Sequence, residues 1–328
     1  MRISRSGSWK GLPLCCLILL AGCATSQAPR TVTAAAAPRM TVDKLVASEL
    51  GPDDAFLIGA GDIADCDQLQ PAKDTAAIIQ KFPTATVFAA GDDAYTNGTD
   101  NEFKNCYGQS WGAFKERTRP SPGNHDYGIY PPVRRFNADP YFNYFGTNAG
   151  TAGLGYYSYD LGGWHIVSLN SMADQRGAPK MADQVAWLKD DLDHTEKKCI
   201  LAYWHHPLFS SGSEHGDQAN DPGRSMGTLW DVLLQHKADV ILNGHDHHYE
   251  RFALQDAAHK ATPDGIREII VGTGGGEDRG LGTIKVNSQL QLAHHYGVLL
   301  MTLHPNSYEW HFINVNGNVE DLGSGECH

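Results

Sequence analysis

The sequence predicts an α/β protein, a four-layer α/β/β/α sandwich in which two mixed sheets are flanked by helices. Three observations carry that expectation. Short apolar runs without polar alternation, such as Ala55-Phe56-Leu57-Ile58-Gly59-Ala60 and Thr86-Val87-Phe88-Ala89-Ala90, read as strands buried on both faces. Stretches with helical spacing of apolar residues lie between such runs. The last third of the chain is rich in strand-like segments and suggests a second sheet.

The elements follow in chain order. Residues 55–60 form the first buried strand, closed by Gly61-Asp62, and residues 71–81 have the spacing of a helix. A second buried strand, 86–90, runs into Gly91-Asp92. Residues 156–171 read as a hairpin turning at Gly162-Gly163, and 181–193 as an amphipathic helix. The strand at 199–204 leads into His205; a helix at 225–237 and a strand at 239–242 lead into Gly244-His245. Strands at 266–271, 298–303 and 308–313 complete the pattern. In open α/β sheets, ligands gather outside the carboxyl ends of strands. The polar motifs of this chain fall there.

Residues 1–22 are set aside as an export signal: Arg2, Arg5 and Lys10 precede an apolar stretch, Leu12 to Gly22, too short to span a bilayer. Leu20-Ala21-Gly22-Cys23 resembles the lipobox of bacterial lipoproteins. That resemblance implies lipidation of Cys23 and, with Ala24 following, outer-membrane retention. An ordinary secretory signal with an incidental Cys23 remains the alternative. Either way the mature protein is expected outside the cytoplasm, in the outer membrane or periplasm, touching membrane only through an anchor at Cys23. Residues 23–48 read as an Ala/Pro/Thr-rich tether with too little apolar surface to repay the entropy of ordering. Residues 49–328 are left as one domain of α/β type.

Composition narrows the function classes. The chain is 41% hydrophobic and 20% charged, which suits a packed core. Its formal net charge is −12, and loss of Arg2, Arg5 and Lys10 with the signal makes it −15. An acidic surface argues against nucleic-acid partners, which need phosphate neutralisation. It leaves small phosphorylated substrates open, because a metal centre is a local positive charge. Four cysteines remain after the signal and Cys23: Cys66, Cys106, Cys199 and Cys327. Three pairings are possible. Cys66–Cys106 with Cys199–Cys327 is favoured, since one would brace loops beside the motifs and the other the C-terminus. A thiolate zinc site competes poorly, because no Cys-x-x-Cys spacing occurs.

Five motifs carry the chemistry. Asp62 and Asp92 each follow a glycine after an apolar strand, so their carboxylates emerge from rigid elements; one Gly-Asp alone is as readily a turn. Gly123-Asn124-His125-Asp126 follows Pro120-Ser121-Pro122 and offers an amide oxygen at Asn124. Either residue of His205-His206-Pro207 suits a metal, and spacing does not choose between them. His245 and His247 stand two apart beyond a strand; an extended backbone there would put both imidazoles on one side, with Asp246 and His248 on the other. A carboxylate can bridge two cations, and two metals about 3.5–4 Å apart can clamp the attacking and leaving oxygens of an in-line displacement. Tyr95 taken alone is a half-buried packing residue. His294-His295 reads as structural, and Gly274-Gly275-Gly276 as a turn rather than a phosphate cradle. Asp65, Asp67 and Asp93 read as solvated or set just behind the ligands.

In this order the motifs Gly-Asp, Gly-Asp-x-x-Tyr, Gly-Asn-His-Asp, His-x-Pro and Gly-His-x-His resemble the calcineurin-like metallophosphoesterases, in particular the purple acid phosphatase branch. The resemblance covers residues 62–251. It implies two metal ions, Fe with Zn, Mn or Fe. Asp92 would bridge them; Asp62, Tyr95 and His247 would complete one site, and Asn124, His205 and His245 the other. The family pattern selects His205 over His206. Ile63-Ala64 stands where the wider superfamily carries a histidine, and Tyr95 is gained; both follow the purple acid phosphatase pattern. Asp126 replaces a glutamate seen in many members.

The resemblance further implies hydrolysis of phosphate monoesters by a metal-bound hydroxide, an acid phosphatase-like activity. His125 would face the phosphate. His215, in the loop after His-x-Pro, is the candidate for protonating the leaving group, against the plain alternative of an exposed loop histidine. A phosphodiesterase or nucleotidase on the same site is the alternative activity, and a non-catalytic phosphate-binding lipoprotein the reading from another class.

Overall fold

A computed structural model describes residues 40–48, 50–213 and 222–328. Through the first half run α1 (Val42–Val46), β1 (Ala55–Ala60), β2 (Ala64–Asp65), α2 (Gln70–Ile79), β3 (Thr86–Ala90), β4 (Ala94–Tyr95), α3 (Asp100–Asn105), β5 (Thr118–Ser121), α4 (Asp139–Phe145), β6 (Tyr157–Leu161) and β7 (Trp164–Ser168). Then follow α5 (Met181–His194), β8 (Cys199–Trp204), α6 (Gly227–Gln235), β9 (Val240–Asn243), β10 (Tyr249–Phe252), β11 (Arg267–Val271), β12 (Ser288–Leu292), β13 (Gly297–Leu303), β14 (Ser307–Asn314) and β15 (Val319–Glu326).

One sheet has the order β15-β14-β13-β1-β3-β5 and the other β12-β10-β11-β9-β8-β7-β6. Both are mixed. β1, β3 and β5 are parallel in the first, as are β7, β8, β9 and β11 in the second. Alternation along the second sheet explains the layering. Ile166, Leu201, Tyr203 and Leu242 join the core shared with Leu57, Phe88 and Leu299 of the first sheet. Their neighbours Val167, Ile200, Ala202 and Ile241 pack instead with Leu188 of α5 and Leu229, Trp230 and Leu233 of α6. On the first sheet, α2 contributes Ala72, Ala76 and Ile79 to the shared core. Helices therefore cover strands whose residues are apolar on both faces.

Two expectations about organisation are corrected. The strand-rich final third does not form a sheet of its own: β13 pairs antiparallel with β1 and carries β14 and β15 into the first sheet. Which sheet a strand joins depends on pairing with distant residues, which local spacing does not encode. The tether also ends earlier. Val42 and Leu45 are buried, and Val42 N–H donates to Gly317 O at 2.9 Å, so residues 40–48 belong to the folded part. Residues 1–39, including the signal and Cys23, lie outside the described residues. No helix among the described residues is long and apolar enough to cross a membrane.

β15 was invisible to the sequence reading because its glycines weaken strand propensity. Here they make room for rings. A Cβ at Gly323 would lie 2.2 Å from Trp310 Cζ2 of the neighbouring strand. Both favoured disulfides form: Cys66–Cys106 joins the segment after β2 to the end of α3, and Cys199–Cys327 joins the start of β8 to the residue after β15.

His165 on β7 gives a pH dependence to stability. Its Nδ1 lies 3.0 Å from Asp160 and its Nε2 2.9 Å from Asp191. Burial disfavours its charge, but the bonds to Asp191 and Asp160 outweigh that and raise its pKa. A raised folded pKa means stabilisation that is complete below the unfolded value, about 6.5. It is lost as pH rises through the folded value. Asp191→Asn should therefore lower the melting temperature more at pH 5.5 than at pH 8.5; an equal effect at both would refute this account.

Candidate metal centre

All five motifs lie just past the carboxyl ends of strands. β1 delivers Asp62, β3 Asp92, β5 Asn124, β8 His205, and β9 both His245 and His247; Tyr95 ends β4. The ends of the two sheets are stitched together at this point. Gly61 N–H donates to Val271 O at 2.9 Å, His205 Nδ1–H to Ala90 O at 2.8 Å, and His245 N–H to Asp62 Oδ2 at 2.7 Å. Asp62, Asp92 and His245 have φ of 60°, 53° and 71°, uncommon for non-glycine residues. Such backbone strain clusters at functional sites, where surrounding structure over-determines it.

The structure brings Asp62, Asp92, Tyr95, Asn124, His205, His245 and His247 into one buried cluster. Asp62 Oδ1 is 2.8 Å from Tyr95 Oη and 3.2 Å from His247 Nε2. Asp92 Oδ2 is 3.1 Å from His205 Nε2, which also meets Asn124 Oδ1 at 3.0 Å and His245 Nδ1 at 3.2 Å. His245 and His247 do share a side, though by another route than an extended backbone. The left-handed φ of His245 and the Asp246 N–H to Gly244 O bond at 2.9 Å make a turn. His248 turns away to Glu250, 3.0 Å off. His205 faces the cluster, whereas His206 Nδ1 pairs with Ser171 Oγ at 2.8 Å.

The donor set fits a pair of cations. His205 gives its Nδ1 proton to Ala90 O, so the neutral ring presents a lone pair at Nε2. Three acceptor-capable atoms surround that lone pair. His247 repeats the arrangement: Nδ1 pairs with Glu277 O, and Nε2 faces Asp62 and Tyr95. Without a cation, protons take its place. Burial opposes the charge on His205, but the Asp92 carboxylate drives its pKa up to about 10. Burial and Asp62 act likewise on His247, up to about 9. The Tyr95 phenol is held well above its ordinary value by burial and by Asp62 and Asp92, so it needs a cation to ionise. Oxygen and imidazole donors without thiolate suit Fe, Mn or Zn.

A cavity of about 250 Å³ opens over the cluster, lined by Asp92, Asn124, His125, Tyr130, His245, His247 and Arg279. His125 Nδ1 meets Thr96 O at 2.6 Å, which directs Nε2 inward, 3.7 Å from Asp92 Oδ2. Burial lowers the His125 pKa despite Asp92. His215 lies outside the described residues. Sequence reasoning missed Tyr130 and Arg279, which no motif marks.

It also undervalued Asp126. Its Oδ2 accepts Asp92 N–H at 2.9 Å and Gly123 N–H at 2.8 Å, and its Oδ1 accepts Asp93 N–H at 3.1 Å, clamping two motif loops. Burial and Asp92 push its carboxyl up to about 7. Asp93 is wholly buried rather than solvated, and burial with Asp126 raises its pKa well above the usual range. Gly274 and Gly276 spend their N–H groups on Gly61 O and Asp62 O, so this turn clasps the first motif instead of a phosphate. His294 and His295 pair with Asp278 and Glu320.

Gly123 gives a sharp packing prediction. A Cβ there would lie 2.1 Å from Asp92 Oδ1 and 2.5 Å from Asp92 N, leaving no room for a methyl group. Gly123→Ala should destabilise the protein by about 2 kcal/mol and displace the Asp92 carboxylate. Denaturant midpoints that match the parent protein would contradict it.

Residues 36–249 match the calcineurin-like phosphoesterase family. Purple acid phosphatase 15 of Arabidopsis thaliana is 29% identical over 224 residues, 59% of this chain and 40% of that protein. Purple acid phosphatase 23 of the same plant is 30% identical over 178 residues, 51% of this chain and 37% of that protein. The chain thus spans about 40% of the length of these curated relatives. Among solved structures, purple acid phosphatase PPD1 from yellow lupin (Lupinus luteus) superposes with a TM-score of 0.67 at 18% identity, covering 83% of this chain and 54% of that one. That likeness concerns the fold. With the family match covering most of the chain and the motif residues gathered at the strand ends, this chain belongs to the calcineurin-like phosphoesterase family.

Proposed function

We propose that the protein hydrolyses phosphate monoesters at a dinuclear metal centre outside the cytoplasm. The observation that carries this reading is the buried cluster itself: two carboxylates, three imidazoles, an amide oxygen and a phenol converge below a small cavity. In this reading Asp92 would be the ligand shared by the two metals. Asp62, Tyr95 and His247 complete one site; Asn124, His205 and His245 the other. When bound, the metals supply Lewis acidity, making water a competent nucleophile near neutral pH and offsetting phosphoryl charge.

The remaining work falls to the chain. The cavity of about 250 Å³ suits a phosphoryl group with its leaving group directed outward. Its entry brings negative charge beside His125, which favours a proton on Nε2 and hence an N–H directed at a phosphoryl oxygen. The backbone and carboxylate contacts of Asp126 and Ala90 hold the donors in place before substrate arrives, which reduces reorganisation during reaction. His215 is the proposed proton donor to the leaving oxygen. Two disulfides support an oxidising compartment. The proposed organisation is a signal over 1–22, a tether from residue 23 to the first packed residues near Met40, and a catalytic domain beyond. Mass analysis of the N-terminal peptide tests the lipid anchor at Cys23; an unmodified cysteine would end it.

Paired hydrolysis assays on p-nitrophenyl phosphate and bis-p-nitrophenyl phosphate, with Fe, Mn and Zn supplied, test the activity. Faster monoester turnover is expected. A preference for the diester would move the function to a phosphodiesterase on the same residues, and inactivity on both would favour a binding role.

A further inference from the structure

We propose that Tyr130 is a positioning residue of this centre: its hydroxyl sets the direction of the Asn124 amide, and its ring sets the plane of His125. The inference rests on the metallophosphoesterase reading above. Tyr130 is half-buried on the cavity wall, within a segment that carries none of the five motifs.

The hydroxyl acts first. Asn124 Nδ2 donates to Tyr130 Oη at 2.9 Å, while Asn124 Oδ1 points the other way, 3.0 Å from His205 Nε2. Only the oxygen of an amide can serve a metal; the NH₂ group is a donor and repels it. Engaging the NH₂ end therefore keeps the useful end turned inward, as partners behind metal ligands do in general.

The ring acts on the neighbouring residue. Tyr130 stacks on His125 with centroids 4.4 Å apart and planes 23° apart, and Tyr95 meets His125 at 4.4 Å and 59°. Held by two rings and by Thr96 O, the imidazole keeps Nε2 toward the cavity. Tyr130 is itself fastened. Its N–H donates to Asn97 Oδ1 at 3.0 Å and its carbonyl accepts Arg134 N–H at 3.1 Å. Arg135 Nη2 ties the same segment to Asp126 O at 2.8 Å and Asn97 O at 3.2 Å. One side chain thus joins the amide proposed to hold a metal and the imidazole proposed to meet the phosphate.

The two contacts separate by substitution. Tyr130→Phe keeps the ring and removes the hydroxyl; Tyr130→Leu removes both. Metal-stripped full-length protein is titrated with Mn²⁺ calorimetrically, and kcat and KM for p-nitrophenyl phosphate are measured on the reloaded protein. Tyr130→Phe should weaken one of two Mn²⁺ sites by roughly 10- to 100-fold and leave KM within about twofold at saturating metal. Tyr130→Leu should weaken Mn²⁺ equally and in addition raise KM several-fold. Undiminished Mn²⁺ affinity in Tyr130→Phe would overturn the amide assignment. Identical KM in both variants would overturn the stacking assignment. Should Tyr130→Leu not fold, Tyr130→Met, which fills the space without a plane, takes its place. If the parent protein binds no Mn²⁺, the metallophosphoesterase reading falls and this inference with it; if it binds and Tyr130→Phe is indistinguishable, only this inference fails.

Discussion

Asp92→Asn is expected to lower turnover by on the order of 10³-fold or more, about 4 kcal/mol of barrier, while the protein stays folded. The contacts of the Asp92 carboxylate set this expectation. Oδ1 accepts His125 N–H at 2.8 Å, and Oδ2 lies 3.1 Å from His205 Nε2. An asparagine retains one oxygen, so the His125 N–H keeps an acceptor and the loop keeps its shape. It has only one oxygen and no charge, so it cannot bridge two cations, and the proposed centre loses its shared ligand. The metal-free protein should stay folded with some loss of stability. Burial opposes the Asp92 charge, but His205 and His125 hold its pKa well below the usual carboxylate range. Losing that pairing is offset in part by relief of repulsion on Asp93 and Asp126. Circular dichroism and metal analysis beside the p-nitrophenyl phosphate assay check all three points. Residual activity within tenfold of the parent would show that Asp92 is not the bridging ligand.

Opening Cys199–Cys327 has the largest expected effect on stability. The bond closes a loop of 128 residues. In the chain-entropy account, such a loop is worth roughly 5 kcal/mol, against about 4 kcal/mol for a 40-residue loop such as that of Cys66–Cys106. The structure adds a local reason. Cys327 follows edge strand β15, and its N–H donates to Asn306 O at 2.8 Å, while His328 N–H donates to Asp239 Oδ1 at 2.9 Å. The bond holds the last strand of the first sheet to β8 of the second. Cys199→Ser with Cys327→Ser should lower the denaturation free energy by several kcal/mol. The Cys66→Ser with Cys106→Ser protein should lose less stability but more metal affinity, since Cys66 lies between Asp62 and the α3 segment that follows Tyr95. The opposite ranking in urea unfolding would refute the loop-length argument.

The chemistry was legible in the sequence where a short stretch carries both structure and function. A Gly-Asp after an apolar run marks a strand end but is by itself as readily a turn; the repeat of that context at Asp62 and Asp92, with the family resemblance, is what marks them as ligands. His245 and His247 after 239–242 read the same way, whereas after 199–204 spacing leaves His205 and His206 open and the family resemblance selects His205. Residues that act across the fold left no such mark. Tyr130 lies just beyond the Gly123–Asp126 motif and outside its pattern, Arg279 lies beyond a glycine-rich turn, and Asp126 looks like a conservative replacement although it clamps Asp92 and Gly123. Asp93 reads as either solvated or set just behind the ligands, because nothing in Gly91-Asp92-Asp93-Ala94 tells which way each carboxylate turns; its burial decides for the second.

By itself the sequence determined the α/β class, the buried strands and main helices, the family and the seven residues that gather at the strand ends. The class and elements depend on periodicity and on residues adjacent in the chain; the family and the seven residues rest on the resemblance of the ordered motifs. Tertiary structure alone decided that β13 to β15 complete the first sheet and that residues 40–48 pack on the core. It also decided that His245 enters through a left-handed turn, and that Tyr130 touches both Asn124 and His125. The first three depend on contacts between residues far apart in the chain, whose free energy comes from burial and pairing that exist only once both sheets have met. Tyr130 is near its partners in sequence, but the segment that aims it is held from a distance by Asn97.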